Sequence, residues 1–209
     1  MRLLPRPPIL FISDRRISYR ALPEQFACAA KGGCRWFMLR EKDLDEAALE
    51  LLLIELKGAL AQWPVSLFLN GHPALAREFG LSGVHLPQGE DCRSARHCLG
   101  DGSVIGVSVH SLDELAEAQR AGADYVTLSP VFVSTSKGNF RRPLGLKTFK
   151  ELAGSTCLPV IALGGVNDKN ISVLKEAGAD GVGLLGPAMS SVDVEAFAAR
   201  LMSLWIGRS

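Results

Sequence analysis

Two cations alternate in Leu39-Arg-Glu-Lys-Asp43, at the end of a short apolar run. If that run is a strand, alternation sends Arg40 and Lys42 to the same side, where both can converge on one anion. The other reading is a solvated strand end in which they pair with Glu41 and Asp43. A second set of anion-binding parts lies in residues 129–143, the longest loop that the pattern predicts. Ser134, Thr135 and Ser136 offer hydroxyls there, the backbone N–H groups can form a nest, and Lys137 adds a point charge. A polar surface loop would have the same composition. Two glycine-bearing turns, Ala162-Leu-Gly-Gly-Val-Asn167 and Leu184-Leu-Gly-Pro187, are the third set. Gly164, Gly165 and Gly186 would let the backbone approach a phosphate, although ordinary tight turns use glycine too.

The remaining reactive side chains suggest less. His85, in Gly83-Val-His-Leu-Pro87, reads first as a hydrogen-bonded core residue, and His72, His97 and His110 have no clear pairing. Cys92, His97 and Cys98 lack the spacing of a zinc motif. The five cysteines are odd in number and widely spread, which favours free thiols in a reducing cytoplasm over a disulfide framework.

These residues need a frame, and the chain repeats one. Gly33-Cys-Arg-Trp-Phe37, Gly80-Leu-Ser-Gly-Val84, Gly122-Ala-Asp-Tyr-Val126 and Gly178-Ala-Asp-Gly-Val182 echo one another. Each follows a helix-like stretch and opens an apolar run, so the glycine suits a left-handed helix end. Their spacings, 47 (80−33), 42 (122−80) and 56 (178−122), each hold two strand–helix units. Between them lie Pro8-Ile-Leu-Phe-Ile-Ser-Asp14, Pro64-Val-Ser-Leu-Phe-Leu-Asn70, Ser103-Val-Ile-Gly-Val-Ser-Val109 and Pro159-Val-Ile-Ala-Leu-Gly-Gly165. Eight short apolar runs of this kind suit strands buried on both faces. Residues 44–61, 111–121, 168–177 and 191–205 read as amphipathic helices, and residues 91–99 as one or two turns.

Alternating strands and helices predict a parallel sheet, and the fourfold echo predicts closure into an α/β, single (β/α)₈ barrel over residues 1–209. An open doubly wound sheet is the alternative, but no Gly-x-Gly-x-x-Gly turn follows the first strand. In such a barrel the chemistry sits at the C-terminal strand ends. The candidates are therefore Asp14, residues 40–42, Asn70, residues 85–91, 108–110, 129–137, 164–167 and 186–189.

Composition narrows the partners. A net charge of +1 offers no global field for nucleic acid or a membrane surface. No apolar run reaches the ~18 residues of a membrane span. The basic start Met1-Arg-Leu-Leu-Pro-Arg-Pro-Pro8 lacks the apolar region and cleavage site of a signal peptide.

Taken in order, the motifs resemble the family of thiamine phosphate synthases and TenI-type thiazole tautomerases. They are Phe11-Ile-Ser-Asp14, Leu39-Arg-Glu-Lys-Asp-Leu44, Leu69-Asn70, Gly83-Val-His-Leu86, Gly106-Val-Ser-Val-His110, Gly122-Ala-Asp-Tyr125, Pro130-Val-Phe132, Ser134-Thr-Ser-Lys137, Pro143-Leu-Gly-Leu146, Ala162-Leu-Gly-Gly-Val166 and Ala177-Gly-Ala-Asp-Gly-Val182. The resemblance implies a transferase that joins hydroxymethylpyrimidine pyrophosphate to thiazole phosphate. It implies that Arg40, Lys42 and Lys137 bind pyrophosphate, with Ser134 and Ser136 in place of the family's threonines. Asn70 and Ser108 would bind substrate, Ser108 in the pyrimidine pocket, while Gly164, Gly165 and Gly186 would hold the thiazole phosphate. It also implies Mg²⁺ and a homodimer.

The sequence departs from the patterns of the two branches at several places. Asn70 is followed by Gly71 instead of Asp, so one metal carboxylate is missing; Glu90 or Asp91 would supply the other. Met38 replaces a glutamine, and Gly186 replaces a serine. Pro130 stands where the tautomerase branch carries a histidine, so His85 or His110 would have to move the proton in that reading. A thiazole tautomerase and a non-catalytic thiazole or thiamine phosphate-binding protein are the alternatives.

Overall fold

The computed structural model describes residues 4–133 and 142–207. Eight parallel strands follow the chain around a closed barrel: β1 (Ile9–Ile12), β2 (Trp36–Leu39), β3 (Ser66–Asn70), β4 (Gly83–Leu86), β5 (Val104–Val109), β6 (Tyr125–Leu128), β7 (Val160–Ala162) and β8 (Gly181–Leu184). Pairing of Leu10 with Gly183 closes β1 on β8, which excludes the open sheet. The helices between them are α1 (Leu22–Lys31), α2 (Glu46–Leu60), α3 (Pro73–Glu78), α4 (Cys92–Leu99), α5 (Leu112–Arg120), α6 (Gly145–Ala153) and α7 (Ile171–Glu176); α8 (Gly186–Ser190) and α9 (Val194–Ile206) follow β8.

The echoed glycines mark one turn used four times. Gly33, Gly80, Gly122 and Gly178 all have positive φ, at 99°, 59°, 83° and 93°. Each lies three residues before a strand, which opens at Trp36, Gly83, Tyr125 or Gly181. Four of the helices begin where a polar side chain satisfies a free N–H group. Asp45 caps α2 through the Ala48 N–H, Ser111 caps α5 through Glu114, and Asp193 caps α9 through Ala196. In α2, Leu49, Leu53, Leu56 and Leu60 form the buried stripe. α7 is shorter than its apolar pattern because Asn167 to Asn170 fold into a turn; the Asn170 carboxamide oxygen accepts the Asn167 N–H.

Strand alternation sorts the core into two shells. Ile9, Phe11, Phe37, Leu39 and their equivalents face the helices. Leu10, Ile12, Trp36, Met38, Phe68, Tyr125, Ile161, Leu163 and Leu185 fill the barrel. Trp36 meets Tyr125 and Phe68 edge-on, with ring centroids 5.1 and 5.6 Å apart, so the bore is packed with side chains. Tyr125 crosses over β5 at Gly106, where a Cβ would land inside its ring. The same inward parity, carried two residues further, brings Arg40, Asn70, Ser108 and Thr127 to the C-terminal mouth.

Candidate functional site

Arg40 is held at the mouth through its backbone. Its N–H donates to Ser13 Oγ at 2.8 Å, and Ser13 donates to Glu41 Oε1 at 2.6 Å. Glu41, only 5% exposed, also accepts from the Arg15 backbone N–H and from Arg15 Nη1, each at 3.1 Å. The Arg15 guanidinium then grips Asp43 with two hydrogen bonds of 2.8 Å. Glu41 and Asp43 therefore belong to Arg15, and the alternative pairing with Arg40 and Lys42 is not what the fold uses. Asp14 is taken too, by the Arg16 backbone and guanidinium; that hydrogen bonding holds its carboxyl below the usual value.

The Arg40 guanidinium is left half-buried, and among the described residues none accepts a hydrogen bond from it. Burial pushes its pKa down, partly countered by the charges of Asp14 and Glu41. A desolvated cation without a bonded partner is relieved by an incoming anion. Lys42 lies just beyond β2 and is exposed.

Beside this cation lies a polar sector. Asn70 Nδ2 donates to the His85 carbonyl at 2.9 Å. His85, 3% exposed, meets Tyr125 Oη through Nδ1 at 3.1 Å. Its Nε2 meets Ser108 Oγ at 2.9 Å and Thr127 Oγ1 at 3.2 Å. His85 is thus the hydrogen-bonded core residue its setting suggested, but two of its partners, Ser108 and Thr127, reach the mouth. His110 binds the Ser129 carbonyl through Nδ1, next to Pro130. Thr127, Tyr125 and the Ser13–Glu41–Arg15 chain were missed from sequence. Period-two alternation on β6 is the signal that places Thr127 with Tyr125; no local signal links Glu41 to Arg15.

Opposite this sector the floor is apolar, with Ile12, Met38, Leu163 and Leu185 in one cluster. Met38 is 1% exposed and offers no polar contact where a glutamine would. The β7 turn has a crowded reason for its glycines. The backbone of residues 130–133 packs on it, with Val131 donating to Leu163 O and Phe132 to Gly164 O. A Cβ on Gly164 would lie 2.6 Å from Pro130 Cβ, and one on Gly165 2.5 Å from Val133 O. The Gly164 and Gly165 N–H groups have no acceptor among the described residues. Beyond neighbouring β8, Gly186 opens α8, whose first N–H groups also lack an intrahelical acceptor. Ser134, Ser136 and Lys137 lie outside the described residues. The stem of their loop rests on the β7 turn, closed by Leu144 N–H to Pro130 O and Gly145 N–H to Val131 O.

The two candidate metal carboxylates separate. Asp91 caps α4, accepting from the Arg93 N–H at 2.9 Å and the Ser94 hydroxyl at 2.5 Å, and these bonds lower its pKa. Glu90 is exposed, and its oxygens lie 3.9 and 4.0 Å from where a Cβ on Gly71 would be. Among the described residues no three His, Cys, Asp or Glu side chains cluster. Mg²⁺ is commonly held by one or two carboxylates together with substrate phosphates and water. Of the two candidate metal carboxylates, Asp91 is engaged in its helix cap, and Glu90 faces solvent.

Comparison with known proteins finds relatives along most of the chain. The family model described as thiamine monophosphate synthase matches residues 9–186. A thiamine-phosphate synthase of Syntrophomonas wolfei is 32% identical over 199 residues, covering 94% of this chain and 95% of the relative. One from Desulfitobacterium hafniense is 34% identical over 178 residues, covering 85% and 86%. The solved thiamine phosphate pyrophosphorylase of Pyrococcus furiosus superposes with a TM-score of 0.85 at 25% identity, covering 95% of each chain.

Proposed function

The chain belongs to the thiamine monophosphate synthase family, and from that premise we propose that it condenses hydroxymethylpyrimidine pyrophosphate with thiazole phosphate to give thiamine phosphate and pyrophosphate. The observation that carries this reading is the half-buried Arg40 guanidinium, fixed at the barrel mouth with no bonded partner among the described residues.

The bond between the pyrimidine methylene and the pyrophosphate oxygen breaks, and its electron pair leaves with the pyrophosphate. The aminopyrimidine ring stabilises the methylene cation, which the thiazole nitrogen attacks to form the new C–N bond. Protein groups serve this step by electrostatics and placement. Arg40, Lys42 and Lys137 bind the leaving pyrophosphate, with the Ser134 and Ser136 hydroxyls. Asn70 and Ser108 orient the pyrimidine. The free N–H groups at Gly164, Gly165 and Gly186 hold the thiazole phosphate. The apolar side chains of Met38, Leu163 and Leu185 keep water from the cation. Glu90 would hold Mg²⁺, which when bound neutralises charge on the leaving group.

The test is thiamine phosphate formation from both substrates, with and without Mg²⁺. Arg40→Ala and Lys137→Ala should each lower it about ten- to a hundredfold, the worth of one charge-assisted contact of ~1.5–3 kcal/mol. Unchanged turnover in either variant would defeat the assignment. Interconversion of thiazole phosphate isomers without the pyrimidine would favour the tautomerase; binding without turnover would favour the non-catalytic role. Family membership also supports a cytoplasmic homodimer, to be checked by light scattering and cell fractionation.

A further inference from the structure

We propose that Tyr125 and His85 are positioning residues that fix the direction in which Ser108 presents its hydroxyl proton, so that the pocket selects a substrate atom able to accept a hydrogen bond. The inference rests on the reading of Ser108 as a pyrimidine contact and adds the chemistry that the contact demands.

The argument is one of proton placement. Tyr125 is fully buried, and among the described residues the one polar partner of its phenol oxygen is His85 Nδ1, at 3.1 Å. Trp36 and Phe68 occupy the space around the ring. The phenol proton must therefore go to Nδ1, since a buried donor without an acceptor loses more than a hydrogen bond returns. Burial raises the phenol pKa well above its ordinary value, so the proton is present to be donated. With Nδ1 accepting, the neutral imidazole carries its proton on Nε2.

That proton faces Ser108 Oγ at 2.9 Å, with Thr127 Oγ1 also 3.2 Å from Nε2, and Thr127 donates to Ser108 Oγ over a longer 3.5 Å. Ser108 then receives two hydrogen bonds from the barrel interior, and its own proton turns towards the half-open mouth. The oxygen arrives at the ligand as a donor. It matches an unprotonated ring nitrogen and opposes an N–H or amino group at that place. The other tautomer reverses this. Nδ1–H would point at the phenol oxygen, the phenol proton would have no acceptor, and Nε2 would draw the Ser108 proton inward.

Nitrogen-15 NMR of the full chain decides between the two. The chain has four histidines, and the His85 signals are assigned by their loss in His85→Gln. Nδ1 is expected unprotonated and Nε2 protonated; a protonated Nδ1 overturns the proposal whether or not the protein makes thiamine phosphate. Tyr125→Phe removes only the phenol oxygen. It should abolish the single-tautomer signature and weaken calorimetric binding of hydroxymethylpyrimidine pyrophosphate about tenfold, leaving thiazole phosphate binding unchanged. Equal weakening of both ligands would mark a merely structural role and also overturn the proposal. Should that variant not fold, Thr127→Val should keep the wild-type tautomer and weaken pyrimidine binding a few-fold; unchanged affinity there counts against it.

Discussion

Glu41 lies between two cations, and its environment decides which one it serves. Both of its oxygens meet donors from Ser13 and Arg15. Glu41→Gln would turn an amide N–H₂ towards those donors, leave Arg15 less compensated and loosen the Ser13 hydroxyl that holds Arg40. A loss of about 1.5–3 kcal/mol in urea unfolding is expected, with weaker pyrophosphate binding; an unchanged midpoint would show that the cluster contributes nothing. Asp43 gives a pH signature. Hydrogen bonding to Arg15 holds its carboxyl at about 2, below the unfolded value of 3.8. A depressed carboxylate stabilises the fold above its unfolded pKa and stops doing so as the pH falls through the folded one. Wild type should therefore exceed Asp43→Asn in stability near neutrality, and the gap should close between about pH 4 and pH 2. A pH-independent gap in urea midpoints would contradict this.

At the scale of elements, strands and helices tolerate glycine for opposite reasons. On β5, Gly106 gives way to the Tyr125 ring. Gly106→Ala must displace that ring, at a cost of about 1–3 kcal/mol, and should break the bond from Tyr125 to His85. Gly58 lies inside α2, and a Cβ there would meet nothing within 4 Å. Gly58→Ala should stabilise the protein by about 0.5–1 kcal/mol, because helical alanine loses less backbone entropy. Thermal melts of the two variants should move in opposite directions. Movement in the same direction would mean that packing around Gly106 adapts freely or that α2 does not limit stability.

For the molecule as a whole, the barrel separates its five free thiols by access. Cys157 is exposed, whereas Cys34 is buried between the sheet and α1 and pushed up to about 12 by desolvation. Alkylation of the native protein should label Cys157 rapidly and reach Cys34 only at the rate of unfolding. Fast labelling of Cys34 would indicate local opening near β2. Among the described residues no helix is long and apolar enough to cross a membrane.

Much of the architecture was legible in the chain itself. The four left-handed glycines, the eight apolar runs and the alternation that turns Arg40 inward are local properties, set by backbone sterics and by periods of two and 3.6 residues. The shared mouth of Arg40, Asn70 and Ser108 follows from that alternation once the sheet closes. Tertiary structure alone decided which charges pair and which distant side chains share hydrogen bonds. Arg15 reaches Glu41 across 26 residues, Tyr125 reaches His85 across 40, and Asp91 turns to its own helix while Glu90 remains beside Gly71. Such choices depend on the register between neighbouring strands and on which donors burial leaves unsatisfied. A linear pattern carries neither, because both arise only when the closed barrel brings distant side chains within hydrogen-bond reach.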